Sequence, residues 1–474
     1  MRTTYFALAL GALAIAGCSL PNDPNLNGPS VTDYSTISNL AQLQTLVTGV
    51  LRGDRIVGEQ EIYFGEIVGR DAYILTGSEF RYETELLGPP PGIDPGGFIG
   101  ARMWPYGTVR LASIGYNGAT AAPTTLLNAA DKASTLGYLQ TVKAMEYLRI
   151  VEMRDTVGAP IVTDTNPLAP LAPLSCKHDV LKYIAALLDS GATSLAAGGS
   201  TFPFVLPPGF AGFDAPATLR TFNRGLAAKV QVYLAFRNYA TPAGVITGTI
   251  DAGALGAAQA ALTASFMDTT KSLDLGPAHT YTTNTGDATN SLFDTDTSGT
   301  TYLANPRDSA EADVGDNRVA RKIATSAQRT VQGASSHFVF TLYLTPTTPT
   351  AILTNKELIL LQAEVNWGLG QNIPALALAD FIRRTDGKLL TDTTTVTNAA
   401  SVLNRILYEK RFSLLWQSAD RYLDARQFGK LNGSNPPTGV GLERTYPPVY
   451  SWPIPQAEQN ARSANLSRQC TSGP

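Results

Sequence analysis

Apolar residues recur at helical spacing through much of the chain. Ile37, Leu40, Leu43, Val47, Val50 and Leu51 form the first such stripe, preceded by the capping residues Ser35 and Thr36. Leu139, Val142, Met145, Leu148 and Val151 form a second, and Val180, Tyr183, Ile184, Leu187 and Leu188 a third. A fourth runs from about Ala217 to Asn238 through Leu219, Phe222, Leu226, Val230, Val232 and Tyr233. The Ala-rich stretch Ala252 to Ser265 predicts a short fifth helix. Further on, Asn355 to Gly368 and Ile373 to Arg384 predict a helix pair around the turn Leu369-Gly370-Gln371-Asn372, and Ala399 to Trp416 predicts the last long helix. Ala363, Gly370 and Ala375 are small where the two helices of a tetratricopeptide-like pair approach closely. The fold class is therefore mainly all-α.

Two long stretches interrupt the pattern. One, 53–100, carries Gly-Pro-Pro-Pro-Gly at 88–92 and Pro-Gly-Gly at 95–97; the other, 271–350, is rich in Thr, Ser, Asp and Asn. Loops of this length inside a compact domain are usually functional or disordered, and on a helical scaffold they suit a binding protein. No shift in composition marks a boundary, so 31–474 reads as one domain.

The N-terminus carries an address. Arg2 precedes the apolar run Tyr5 to Ile15, which is too short to span a bilayer, and Ala16-Gly17-Cys18 ends it. This resembles a bacterial lipobox, so 1–17 is read as a signal peptide and Cys18 as the lipidated first residue. Residues 18–30, rich in Pro, Asn and Gly, read as a flexible tether. Ser19 gives no retention signal for the inner membrane of a Gram-negative cell. Cys176 and Cys470 remain; in an oxidising compartment they can pair, and spacing alone leaves that open.

Composition removes several classes of function. The 474 residues carry 36 Lys and Arg against 39 Asp and Glu, a net charge of −3, which does not suit a nucleic-acid binder. Hydrophobic residues make up 44%, too many for a disordered chain. Three Cys and three His are too few for a four-cysteine zinc site or a His-rich one. No nucleophile elbow, zinc-protease helix or phosphate loop occurs in a suitable context. His178, His279 and His337 stand apart, each without a neighbouring ligand pattern. Asp294, Asp296 and Ser298 resemble the first half of a calcium loop, but Asn305 replaces its closing Glu, so a polar turn is the simpler reading and no metal or cofactor is expected.

Aromatic residues concentrate in the two long stretches. Phe64, Tyr73, Phe80 and Tyr82 lie in the first, Trp104 and Tyr106 follow it, and Tyr281, Phe293 and Tyr302 lie in the second. Such rings either pin loops to helices or stack on a ligand, and Phe80, Tyr82, Trp104, Tyr106, Tyr281, Phe293 and Tyr302 are the candidate ligand contacts.

The C-terminal third carries a more specific pattern. Tyr408-Glu409-Lys410-Arg411-Phe412 and Arg421-Tyr422-Leu423-Asp424-Ala425-Arg426-Gln427-Phe428-Gly429 resemble the signature of the SusD/RagB family. Trp452-Pro453-Ile454-Pro455-Gln456-Ala457-Glu458, the helix Glu357 to Glu364, Asp316-Asn317-Arg318 and Val142 to Pro160 resemble further family segments, in the family's order. Gln417-Ser418-Ala419 departs from the usual Glu-Gly-Gly, Asp420 from the common His and Val157 from the usual Tyr. By residue type, Glu409, Arg411, Arg421, Asp424 and Arg426 form a structural charge cluster whose spacing lets charges pair between the helix end and the following turn. The resemblance implies about four tetratricopeptide-like units with an irregular ligand-binding part. It implies a lipoprotein on the outer face of the outer membrane that captures an oligosaccharide, or in some members a peptide or another nutrient, and is not an enzyme. The implied partner is a SusC-like TonB-dependent barrel, with no nucleic acid and no membrane contact beyond the lipid. A surface glycosidase or an adhesion scaffold would be the rival readings. The low charge and the polar, aromatic loops favour a neutral glycan.

Overall fold

The computed structural model describes residues 35–87, 92–166, 169–241, 244–293, 301–391, 398–431 and 449–471. Cys18, Asp294, Asp296 and Ser298 lie outside them, as do residues 1–30, where the sequence suggests a signal peptide and a tether. Ten longer helices carry the described chain: α1 Leu40–Val68, α2 Tyr106–Ala121, α3 Ala129–Arg154, α4 Lys177–Ala196, α5 Pro216–Phe236, α6 Ala252–Thr263, α7 Asn355–Gly368, α8 Asn372–Thr385, α9 Ala399–Leu414 and α10 Asp420–Gln427. Each helix from α2 to α6 packs on the next, and α7, α8 and α9 pack on one another. One hydrophobic core runs through all of this.

The helix ends follow local chemistry. Thr354 caps α7 by accepting from the Glu357 N–H (3.4 Å), and Asn398 caps α9 by accepting from the Ser401 N–H (3.0 Å). Gly370 takes φ +76° with no atom near its missing Cβ. Its glycine serves the turn, not the close helix approach that the spacing had suggested. Ala363 and Ala375 do sit fully buried in that pair.

The first long stretch begins later than the sequence suggests, because α1 continues to Val68. Its second half hides its period. Asp54, Arg55, Glu59, Glu61 and Glu66 are buried there, and Gly65 touches another segment: a Cβ on it would meet that of Ala419 at 2.4 Å. The helix α2 was equally unreadable, since its buried stripe includes Ala112, Ser113, Gly115, Gly118 and Ala119. Small residues bury well but carry little apolar signal.

The second stretch is also more ordered than its composition suggests. Four strands, β1 Ala72–Ile74, β2 Tyr302–Ala304, β3 Ile323–Val331 and β4 Ala334–Phe340, pair antiparallel in the order β1-β2-β4-β3. The β3–β4 hairpin turns on Gln332 and Gly333, both at positive φ (52° and 84°), as a two-residue hairpin requires. The edge strand β3 is mostly Thr, Ser, Gln and Arg, so no apolar alternation betrayed it.

Charges are buried deeply in this core. The Lys229 ammonium lies 3.0 Å from Glu357, 3.2 Å from Asp420 and 3.6 Å from Glu152. Lys410 lies 2.7 Å from Glu364 and 2.8 Å from Asp424. Five carboxylates thus share two cations. Burial outweighs the attraction and raises Glu152 and Glu364, and pushes Glu357 up to about 7 and Asp424 up to about 8. Cys176 and Cys470 form a disulfide with Cα atoms 5.2 Å apart, resolving the question that spacing left open. It sits beside a small sheet in which Leu174–Ser175 pairs with Arg468–Gln469, so the C-terminal segment is tied to α4.

Two outcomes are expected. Between about pH 4 and the raised values, the folded chain holds protons that the unfolded chain has released, so stability falls as pH rises. The melting temperature should drop from about pH 5 to about pH 8, and Glu357→Gln should flatten that slope; a flat wild-type curve would contradict the assignment. Reduction of the disulfide, or Cys470→Ser, should cost about 2–4 kcal/mol in denaturant unfolding, because the bond closes a loop across most of the chain.

Candidate ligand-binding surface

The last turns of α1 and the loop that follows gather a group of rings. Phe64 is fully buried against Trp452, with ring centroids 5.0 Å apart. Tyr82 stands on a short helical turn, Arg81–Thr84, edge-on to Phe98 at 5.6 Å. The Arg81 guanidinium lies over Phe98 at 4.3 Å and pairs with Glu79 at 2.5 Å. From the other stretch, Tyr302 at the start of β2 approaches Tyr63 at 6.0 Å and Trp416 at 5.2 Å. Trp416 in turn stacks on Phe340 at 4.2 Å. The innermost rings, Phe64, Trp416 and Trp452, form a solid base. Tyr63, Tyr82, Phe98 and Tyr302 lie half-buried above it, and Phe80 is 46% exposed at the rim.

The electrostatics suit a neutral, hydroxyl-rich ligand. Burial pushes the Tyr63 and Tyr82 hydroxyls up, and neighbouring Tyr302 and Tyr82 add to the effect at Tyr63. They therefore stay neutral and able to donate. The Tyr302 hydroxyl donates to the Ser291 carbonyl at 3.0 Å, which fixes its ring. Arg102 is exposed beside Tyr63 and Tyr82 and supplies further donors, whereas Arg81 gives its Nε and Nη2 hydrogens to Glu79 and covers one face of Phe98. Flat rings flanked by such donors can stack on the apolar face of a sugar and bond its hydroxyls.

The other candidate aromatics lie elsewhere. Trp104 and Tyr106 pack together at 4.7 Å, on the far side of Arg154, whose guanidinium lies 5.1 Å from Trp104 and 5.8 Å from Trp452. Burial pulls Arg154 down to about 9. The Tyr106 hydroxyl is spent on the Pro160 carbonyl at 2.6 Å, and its ring packs on Tyr147. Tyr281 is a correction: it is buried, its hydroxyl bonds Thr350 at 2.7 Å, and Arg55 covers its ring at 5.1 Å, so it packs instead of facing a ligand. Tyr73 is likewise buried and bonded to Asn305. Phe293 is half-buried, two residues from Ser291. The residues that spacing overlooked are Tyr63 and Phe98, with Arg81 and Arg102. Tyr63 lies inside α1, where buried charged residues mask the apolar period.

The charge cluster is structural, but its members do not pair with one another. Glu409 receives Arg318 at 2.6 Å and Arg383 at 3.2 Å. Arg411 reaches Asp71 at 2.8 Å, Asp308 at 2.9 Å and Glu311 at 2.6 Å. Arg421 lies 3.8 Å from Asp71, Asp424 meets Lys410, and Arg426 lies 3.4 Å from Asp155. Only Asp424, on Lys410, pairs between the helix end and the following turn; Arg411, Arg421 and Arg426 reach distant segments.

Among the described residues, no group of three or more His, Cys, Asp or Glu is arranged to hold a metal, and no helix is long and apolar enough to cross a membrane.

No protein-family model and no curated protein matches the chain. Solved structures do. A SusD superfamily protein from Bacteroides fragilis aligns with 92% of this chain and 100% of its own, at 14% identity and a TM-score of 0.62. One from Parabacteroides distasonis aligns with 90% of this chain and 98% of its own, at 13% identity and a TM-score of 0.67. Another solved structure, described with xylogluco-oligosaccharide, covers 81% of this chain and 83% of its own, at 15% identity and a TM-score of 0.58. The fold is that of the SusD superfamily.

Proposed function

We propose that the chain is a member of the SusD/RagB family: a lipoprotein, anchored through Cys18 on the outer face of the outer membrane, that captures an oligosaccharide and passes it to a SusC-like TonB-dependent barrel. The observation that carries this reading is the half-buried set of rings Tyr63, Tyr82, Phe98 and Tyr302 on a fold shared nearly end to end with SusD superfamily proteins. The xylogluco-oligosaccharide described with one structural neighbour supports a glycan as the ligand class. Phe80 at the rim completes this surface, whereas Trp104 and Tyr106 pack apart from it around Arg154.

The proposed mechanism is binding followed by hand-over, with no chemical step. Stacking on rigid rings selects sugar faces without ordering a flexible loop each time, which limits the entropy cost of binding. Modest affinity suffices, because transport requires release. As a lid, the protein would hold ligand between itself and the barrel, and ligand would favour the closed pair only by what it gains there.

Two measurements test the reading. By calorimetry with cello-, malto- and xylogluco-oligosaccharides, Tyr82→Ala and Tyr302→Ala should each weaken binding by about tenfold while the melting curve shows the fold retained. Unchanged affinity in both variants would remove this surface from consideration, and binding only to oligopeptides would replace the ligand class. Separately, Cys18→Ser should release the protein from the membrane fraction of its host. Retention there would contradict the lipid anchor, and a barrel that copurifies with the wild type would identify the partner.

A further inference from the structure

A cavity of about 190 Å³ opens between α2, α3 and α4, and none of the rings of the candidate ligand surface lines it. Small residues leave it room: Ala112 and Ser113 are buried on α2 and fill little of the gap. Leu139 of α3 and Leu187 of α4 add apolar surface. The loop after α3 closes one side, with Thr163 in the lining. Two bonds hold that loop against α2. The Asn117 amide donates to the Thr165 hydroxyl at 3.4 Å, and the Arg110 guanidinium donates to the Thr165 carbonyl at 3.3 Å.

One charged residue lines this cavity, and it is basic. Lys143 stands half-buried in the middle of α3, with no carboxylate in ion-pair reach among the described residues. Its ammonium lies 5.9 Å from the Tyr183 ring of α4, at the outer limit of a cation–π contact. Burial alone pulls the amine down to about 8, so at neutral pH it still carries its proton. Elsewhere in the core, cations are compensated: Lys229 meets three carboxylates and Lys410 two. A charge held away from water without a partner is costly, and at Lys143 an open cavity takes the place of one. A second donor stands one turn earlier on the same helix face. The Gln140 amide oxygen accepts from the Ser194 hydroxyl at 3.3 Å, which leaves its NH2 group to donate into the cavity that it lines.

We infer that this cavity is a second ligand site, for a short monocarboxylate with an apolar tail. The carboxylate pairs with the Lys143 ammonium and accepts from the Gln140 amide, and the tail packs on Ala112, Leu139 and Leu187. One ammonium and one amide match the single charge and paired oxygens of a carboxylate, whereas a phosphate dianion would keep a charge and several acceptors unmet. Volume limits the tail. An apolar cavity of about 150 Å³ takes a six-carbon ring, which sets the ligand at about six to nine heavy atoms. That is too small for the oligosaccharide proposed at the rings, so this site is independent of that reading.

Calorimetric titration of the mature protein with hexanoate and with hexanamide separates the charge from the tail. Hexanoate should bind about tenfold more tightly than the amide, as a charge-assisted contact implies. Lys143→Met keeps the apolar stem and removes the charge. It should bring hexanoate to the affinity of hexanamide, and it should melt no lower than the wild type, because a charge without a partner is lost. Any oligosaccharide that the wild type binds should bind this variant equally well. Thr163 is exposed on the loop, so Thr163→Trp obstructs the cavity without touching the helices; it should weaken both ligands, and it tests the site even if Lys143→Met fails to fold. Equal affinity of acid and amide, hexanoate binding that survives Lys143→Met, or no binding of hexanoate by the wild type overturns the site. None of these outcomes bears on the ring surface, which Tyr82→Ala and Tyr302→Ala test separately.

Discussion

Three consecutive buried charges on α9 organise this molecule. Successive residues on a helix point about 100° apart, so Glu409, Lys410 and Arg411 each face a different part of the protein. Glu409 takes the guanidiniums of Arg318, ahead of β3, and of Arg383 on α8. Lys410 joins Glu364 on α7 to Asp424 on α10. Arg411 reaches Asp71, ahead of β1, and Asp308 just beyond β2. Helical scaffold, sheet and C-terminal segment therefore meet on one turn. Such pairs add little stability over an apolar replacement, but loss of one partner strands the other in a dry core. Their effect is to permit one arrangement of the segments and penalise others.

The candidate ligand surface inherits its rigidity from this hub. Trp416 lies just beyond α9, and its N–H donates to Glu66 of α1 at 2.7 Å. Gly65 lets Ala419 come close on the same side of the helix. Tyr63 and Tyr302 thus rest on a base whose position the buried charges decide. Rings held in this way offer a sugar a pre-formed face, and a site placed on a helix and a strand is held more firmly than one on loops alone.

The fold was legible where burial follows a simple period. The stripes of α3, α4 and α5 and the helices around 355–368 and 399–414 stand where apolar spacing put them. Legibility failed where burial was achieved by other residues. Arg55, Glu59 and Glu61 interrupt the stripe of α1 because their partners lie far away in the chain, and the Ala and Gly face of α2 is buried without being strongly apolar. The candidate site was half legible. Clustering of aromatics in two stretches singled out Tyr82 and Tyr302, but the same clustering selected Tyr281, which is buried under Arg55. Residue type tells that a ring can stack; it does not tell which side of the ring is covered.

By itself, the sequence determined most of the helices, whose apolar stripes are local, but not the first cap: Asn39, not Ser35 or Thr36, accepts from the Gln42 N–H. It also carries the lipobox-like run before Cys18 and the order of the family-like segments, which are matters of neighbouring residue types. Only the tertiary structure decided the partners of Glu409, Arg411 and Arg426, the Cys176–Cys470 bond and the meeting of Tyr63 with Tyr302. Each of these joins positions far apart along the chain. A contact of that kind depends on how whole elements pack, and no local pattern of residues records it.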